Sequence, residues 1–325
     1  MKQLIRLCSC FALVCLAAPL RAVELPGPLV EPQWLADKLD EVVILDVRKD
    51  TASFTRQTTM KKDKKTGKLF IVSLGGHIPG ARLVSYKKVR ATATIDGKEV
   101  TRMLPAQADF EALMQQAGVS KDSVVIIASK GMSGDDLTMA ARLYWQLKYF
   151  GHDKAAILNG GVAQWFLEGR DMTLAIIEPA KGDWTATATR EEMLATSADV
   201  AAAVDKGGVQ LIDYRPVSAY MGTWKKSYVY DKGHIPGAKV FPNDLMTSVA
   251  VPARFPSADM LAELYKGMKL DASADSIAYC NSGQLAAGGW FIQHELLGNE
   301  RTRLYDGSMH QWTLEKRPVK AMVME

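Results

Sequence analysis

The chain has 325 residues, 48% of them apolar and 23% charged, with a formal net charge of +4. That length fits two domains of ordinary size, and that composition excludes a globally disordered chain. Lys2, Arg6 and Arg21 stand in the first 22 residues with no acid among them, so the remainder carries +1. A near-neutral chain of this kind gives no global electrostatic case for nucleic acid or an anionic membrane.

Residues 1–22 read as a secretory signal. Lys2 and Arg6 give a basic start, Leu7 to Leu16 is apolar apart from Ser9, Pro19 breaks the run, and Ala22 offers a cleavage point before Val23. A membrane anchor is the competing reading, but a span needs about 20 apolar residues and this run has about ten. Export is therefore expected, to the periplasm if the source is bacterial. No later segment is apolar for long enough to span a membrane. Cys8, Cys10 and Cys15 leave with the signal, which makes Cys280 the one retained thiol. In an oxidising compartment a thiol without an intrachain partner is a candidate nucleophile. On cysteine count alone, a buried Cys acting as a small hydrophobe fits equally well.

The elements then come in two matching series. Val42–Arg48 reads as a buried strand ending in Asp46-x-Arg48, and the run Lys61–Lys65 as a solvated loop tip. Gly76-His-Ile-Pro-Gly-Ala81 reads as a tight turn with Pro at its second position and Gly at its third, which gives His77 a structural role. Ser123–Ala128 is apolar without alternation, the mark of a strand covered on both faces. Leu137–Tyr149 reads as a helix closed by Gly151. A late strand at Ala155–Gly161 leads towards Trp165. Glu178–Asp183 lacks periodicity and is the linker candidate, and Trp184–Ala188 alternates as an edge strand would.

The second series repeats the first: Val209–Arg215 with Asp213-x-Arg215, the same six residues at Gly233–Ala238, the strand Ser276–Tyr279, a helix Leu285–Leu297 before Gly298, and Arg303–Ser308 leading to Trp312. Duplication of a whole domain is implied. The expected organisation is α/β: two domains, each a mainly parallel sheet flanked by helices, at 23–177 and 186–325 with a linker at 178–185.

Cys280 closes a buried strand and opens the loop Asn281-Ser282-Gly283-Gln284 before a helix. Ligand sites in such sheets lie at the carboxyl ends of strands. A helix start presents free N–H groups and partial positive charge, both of which favour a thiolate or a persulfide anion. Gly283 lets the backbone curl so that amides point inward.

Asp-x-Arg, Gly-His-Ile-Pro-Gly-Ala, a Cys loop after an apolar strand, and Tyr305-Asp-Gly-Ser308 followed by Trp312 resemble, in that order, the tandem rhodanese family. The resemblance spans residues 28–320. That family includes thiosulfate and 3-mercaptopyruvate sulfurtransferases. It implies two rhodanese-like domains, an inactive first one and a catalytic second one, and Ser129 aligns with the position of Cys280. It also implies catalysis by Cys280 without metal or organic cofactor, a persulfide cradled by Asn281, Ser282, Gly283, Gln284 and Leu285, and an anion held by Arg215. The residues themselves allow an internal Asp213–Arg215 pair equally well, because Asp46 and Arg48 repeat it in the half without the cysteine. The His residues at 77, 152, 234, 294 and 310 show no paired metal spacing.

The loop departs from both standard patterns. Basic residues after the cysteine, usual for thiosulfate enzymes, are replaced by Asn281 and Ser282. Of the mercaptopyruvate loop only Ser282 and Gly283 remain, and that family's second arginine falls at Trp224 or Lys225. Arg102 is a candidate to supply the missing cation across the domain interface. The expected reaction moves sulfur from a small anionic donor to cyanide or a thiol, including a protein thiol. The alternatives are a persulfide carrier working between proteins, a phosphatase, and a binding protein with an inert Cys280. A phosphatase would place an arginine six or seven residues after the cysteine, where this chain has Ala286 and Ala287.

Overall fold

The computed structural model describes residues 23–322, and the expected signal segment at residues 1–22 lies outside them. The first sheet runs Leu29–Val30, Ala155–Leu158, Val125–Ser129, Val43–Arg48, Arg82–Ser85, with every neighbouring pair parallel. The second runs Leu194–Ala195, Thr302–Tyr305, Ser276–Tyr279, Gln210–Asp213, Lys239–Val240, again all parallel. The two topologies are the same, as duplication requires, and helices flank both sheets. Val125, Ile126, Ile127, Ile277, Ala278 and Tyr279 are fully buried, which is why these strands read as unbroken apolar runs.

The turns repeat as well. Ala81 N–H donates to Ile78 O and Ala238 N–H to Ile235 O, with Gly80 at φ +81° and Gly237 at φ +79°. That is a type II turn, whose third position needs a left-handed backbone and hence glycine. The turn brings His77 and His234 into short antiparallel bridges with Thr173 and Lys320. Phe54 stacks on the His77 ring and Tyr220 on the His234 ring.

The helix Gly134–Tyr149 is buried on nearly all sides. It packs on the first sheet with one face and on the second domain's helix Gln284–Trp290 with another, so an amphipathic stripe is neither needed nor present. Gly288 permits the close approach, since a Cβ there would stand 2.6 Å from Thr138 Cγ2. After Trp290 the helix widens into a π-helical stretch at Phe291–Leu296, where an ordinary helix to Leu297 was expected.

Trp184–Ala188 is not an edge strand. Trp184 N–H bonds Val119 O, and its buried ring meets Phe110 and His152 edge-on, so the segment is held to the first domain. Leu194–Ala195 takes the edge instead. Two antiparallel hairpins, Thr59–Lys62 with Leu69–Ser73 and Ala91–Ile95 with Lys98–Met103, extend the first domain. The lysines of the 61–65 run are exposed on the first of these. The second turns through Asp96 and Gly97, both with positive φ, a two-residue turn suited to a twisted hairpin. Among the described residues no helix is long and apolar enough to cross a membrane.

Candidate active site

Cys280 follows the central strand Ser276–Tyr279 at its carboxyl end, and the helix Gln284–Trp290 begins four residues on. Gly283 caps that helix at φ +77°, a left-handed conformation that turns the chain back over the cysteine. Ser282 N–H points at Cys280 Sγ, 3.5 Å away. The N–H of Gly283 goes elsewhere: Ser308 Oγ accepts from Gly283 N–H at 3.3 Å and from Cys280 N–H at 3.0 Å. Ser308 Oγ in turn donates to Tyr305 O at 2.8 Å. Met309 N–H and His310 N–H bond the carbonyls of Cys280 and Asn281, both at 3.0 Å. The loop is thus braced from below by the segment after the last strand of the sheet. Ser308 sits at φ +49°, a conformation costly for a side chain and found where structure is fixed for function.

Cys280 is 2% exposed. It opens on a cavity of about 470 Å³ between the domains, which Asn281, Ser282, Gln284 and Leu285 also line. The same cavity is lined by Lys49, Arg90, Arg102 and Lys226 against a single carboxylate, Asp135. Lys49 pairs with Asp135 at 2.7 Å. Among the described residues the other three have no carboxylate partner. Instead each rests on a ring: Arg90 on Tyr86 at 4.2 Å, Arg102 on Tyr228 at 4.0 Å and Lys226 on Trp224 at 5.5 Å. Burial, with the nearby charges of Arg142 and Arg102, holds the Arg90 guanidinium below its ordinary pKa. Arg102 has a left-handed backbone, φ +71°, at the end of the second hairpin. The Tyr228 hydroxyl meets Ser282 Oγ at 3.3 Å, and burial pushes its pKa up. A chain of contacts therefore runs from Arg102 through Tyr228 and Ser282 to the sulfur.

Two residues expected to meet substrate, Arg215 and Lys225, do not line the cavity. Arg215 is fully buried, donates to Asp213 through Nε at 2.9 Å and Nη2 at 2.6 Å, and ties Gly233 O at 2.7 Å. Arg48 does the same with Asp46 at 2.7 and 2.6 Å and with Gly76 O at 2.8 Å. Both halves use the Asp-x-Arg pair to pin the turn that carries the histidine, which gives Arg215 a structural role. Lys225 donates to Val229 O at 2.7 Å and does not line the cavity; Lys226 does. Gly283 shapes the loop without lining the cavity.

The first domain reaches under the loop. Arg142, fully buried, pairs with Asp306 and approaches Gly283 O at 3.5 Å. Burial works against its charge, but the Asp306 carboxylate outweighs that and keeps the guanidinium firmly protonated. Asp306 also accepts from Leu104 N–H at 2.6 Å. Gln284 Nε2 reaches Asp135 Oδ1 at 3.1 Å and Thr138 Oγ1 at 3.2 Å. At the matching place in the first domain stands Ser129, fully buried and with no partner for its hydroxyl among the described residues. Gly161, at φ +58°, replaces Ser308 there.

Arg90, Lys226, Tyr228 and Arg142 escaped the sequence reading. Arg142 had a local signal, a lone arginine inside the apolar helix Leu137–Tyr149. The others come from loops whose meeting place depends on the docking of the two domains.

The sequence matches the Rhodanese-like domain at residues 31–168 and again at 196–315. A Haloferax volcanii protein provisionally named a thiosulfate sulfurtransferase is 34% identical over 220 residues, or 66% of this chain and 74% of its own. The sulfur carrier protein TtuD of Thermus thermophilus is 27% identical over 299 residues, covering 88% of this chain and 94% of that protein. Among solved structures, SseA of Escherichia coli, described among 3-mercaptopyruvate sulfotransferases, aligns with a TM-score of 0.68 at 26% identity over 87% of this chain and 98% of its own. The chain belongs to the rhodanese-like family and carries that domain twice.

Proposed function

We propose that this protein is an exported sulfurtransferase that moves sulfane sulfur from a small anionic donor, of the mercaptopyruvate or thiosulfate kind, to a thiophilic acceptor. Cys280 is the carrier. Its thiolate attacks the outer sulfur of the donor, the bond between that sulfur and the rest of the donor breaks with its electron pair leaving on sulfite or the pyruvate enolate, and the sulfur stays as a Cys280 persulfide, Cys280–S–S⁻ or, where the donor sulfur carried a proton, Cys280–S–SH. An acceptor, cyanide or a thiol, then takes the outer sulfur and the Cys280 thiolate returns. Ser282 N–H faces the sulfur, and Arg90, Arg102 and Lys226 attract the donor's negative charge. The observation that carries the reading is one thiol opening on a cavity with three cations that no carboxylate among the described residues neutralises. Residues 1–22 support export, and the periplasm if the cell is bacterial.

The test is intact mass. Folded protein treated with thiosulfate or mercaptopyruvate should gain about 32 Da, lose it to cyanide, and gain nothing as Cys280→Ser. A wild-type protein that no donor loads refutes the reading. The relative named as a sulfur carrier supports a second one, in which Cys280 receives sulfur from one protein and passes it to another. Loading without small-donor turnover, together with transfer to a protein thiol, selects that reading.

A further inference from the structure

The first half of the chain carries an addition that the second lacks. Between Arg48 and Gly76 stand 27 residues, and between the matching Arg215 and Gly233 stand 17. The surplus forms the hairpin Thr59–Lys62 with Leu69–Ser73, which has no counterpart among the described residues of the second domain. Its base is built into the fold. Ile71 belongs to the first domain's core, and Thr58 Oγ1 donates to Gly75 O at 2.8 Å and accepts from Gly75 N–H at 3.1 Å. Beyond that base, side chains on both faces of the ribbon stand in solvent. Lys61 lies opposite Phe70 and Lys62 opposite Leu69. Opposite residues share a face and successive ones alternate, so Phe70 and Val72 lie on one face and Leu69 on the other. Phe70 is 47% exposed, Val72 44% and Leu69 66%.

Five lysines, Lys61, Lys62, Lys64, Lys65 and Lys68, surround these apolar side chains against one acid, Asp63. The hairpin therefore carries +4, and the rest of the chain from Val23 carries −3. The Asp63 carboxylate is occupied by the turn, where Oδ1 accepts from Lys65 N–H at 2.9 Å and from Thr66 N–H at 2.7 Å. Asp63 N–H donates to Lys68 O at 2.8 Å and Gly67 N–H to Asp63 O at 2.9 Å. The tip is thus held in one shape. Among the described residues none of the five ammonium groups has a carboxylate partner.

Apolar side chains exposed together inside a charged rim mark a contact surface. The partner here has to offer negative charge without fixed geometry, because flexible lysines rather than planar arginines receive it. It also has to meet apolar side chains on both faces of a two-stranded ribbon. A folded protein covers one such face. The headgroup layer of a bilayer surrounds whatever enters it, and its phosphates answer ammonium groups wherever they lie. The depth is limited, because the two strands pair only with each other and their open edges are not tolerated in hydrocarbon.

We propose that the hairpin Thr59–Ser73 docks this protein on an anionic phospholipid surface, with Phe70, Val72 and Leu69 in the headgroup layer and the five lysines on lipid phosphates. The contact is peripheral and reversible, and it does not depend on the chemistry at Cys280.

The test uses the processed chain from Val23, which keeps both domains and removes the apolar run at residues 7–16. Co-sedimentation is measured with vesicles of phosphatidylcholine alone and of phosphatidylcholine with an equal part of phosphatidylglycerol. The anionic vesicles should bind about tenfold more strongly or better at low salt, and lose that advantage as salt rises. At about fivefold per lysine, Lys61→Gln, Lys62→Gln, Lys64→Gln and Lys65→Gln together should weaken binding by a factor on the order of a hundred or more. Phe70→Ser with Val72→Ser leaves the charge unchanged and should weaken it about tenfold. Both variants should keep the wild-type denaturant midpoint, since the side chains they change are largely exposed. Equal binding to both kinds of vesicle, or binding to neither, overturns the proposal. Loss with the lysine variant alone overturns the apolar contact, and equally tight binding of soluble polyglutamate then assigns the hairpin to an acidic protein segment instead.

Discussion

Replacing Gly283 with alanine tests how tightly the reactive loop depends on the first domain. A Cβ built at Gly283 would lie 2.4 Å from Asp306 Oδ1 and 2.6 Å from Arg142 Nη1. Neither atom has room to retreat, because Arg142 is fully buried and Asp306 is also held by Leu104 N–H. The backbone itself, at φ +77°, costs a non-glycine residue about 1–2 kcal/mol. Forcing the buried ion pair apart costs about 3–5 kcal/mol more. The loop can escape the second cost only by swinging away from Arg142, which moves Ser282 N–H off the sulfur. Gly283→Ala should therefore lose at least 1–2 kcal/mol in a urea titration, and Cys280 in the folded fraction should react with iodoacetamide at least tenfold more slowly. A variant with an unchanged midpoint and unchanged labelling rate refutes the claim that Arg142 and Asp306 clamp this loop.

Other expectations follow from the same geometry. Arg215→Met and Arg48→Met should each cost about 3–5 kcal/mol by leaving a buried aspartate alone, measured by denaturant midpoint. A fully stable Arg215→Met protein with only its KM changed would show that Arg215 meets substrate after all. Arg102→Gln should raise KM for anionic donors roughly tenfold with a small effect on kcat, and added salt should mimic it; insensitivity to both removes Arg102 from donor binding. Ser308→Ala strips the acceptor from Cys280 N–H and Gly283 N–H, a loss of about 1–3 kcal/mol; a neutral result means the loop is braced elsewhere. Burial holds His152, His234 and His310 below the ordinary histidine pKa. The unfolded chain then binds more protons than the folded one, so their stability contribution is full above about pH 6.5 and is lost as pH falls below it. The thermal midpoint should be lower at pH 5.5 than at pH 7.5, and an equal or higher one contradicts that sign.

Much of the architecture was legible because it is local and repeated. The buried strands, the type II turns and the loop between a buried strand and a helix are each written in a few adjacent residues. The duplication made the two halves check one another. Trp184 misled because alternation along the chain says nothing about which core receives the ring, and here it is the first domain's. Asp213 and Arg215 show a different limit: spacing places both side chains on one strand end, but only the tertiary contact with Gly233 O fixes what the guanidinium does. Lys226 rather than Lys225 lines the cavity, since a single step along an irregular loop decides which lysine faces it. Arg90, Lys226 and Tyr228 come from segments more than a hundred residues apart, and no local pattern encodes their meeting, whereas Arg102, named from the family resemblance, does line the cavity.

The most direct measurement is the reactivity of Cys280 in the folded protein, read by mass of the peptide that contains it. The account predicts rapid carboxymethylation by iodoacetamide under native conditions, slowed by prior treatment with a sulfur donor and restored by cyanide. Modification that begins only when the protein unfolds would mean the thiol is sealed in the core, and the chemistry assigned to it would be wrong.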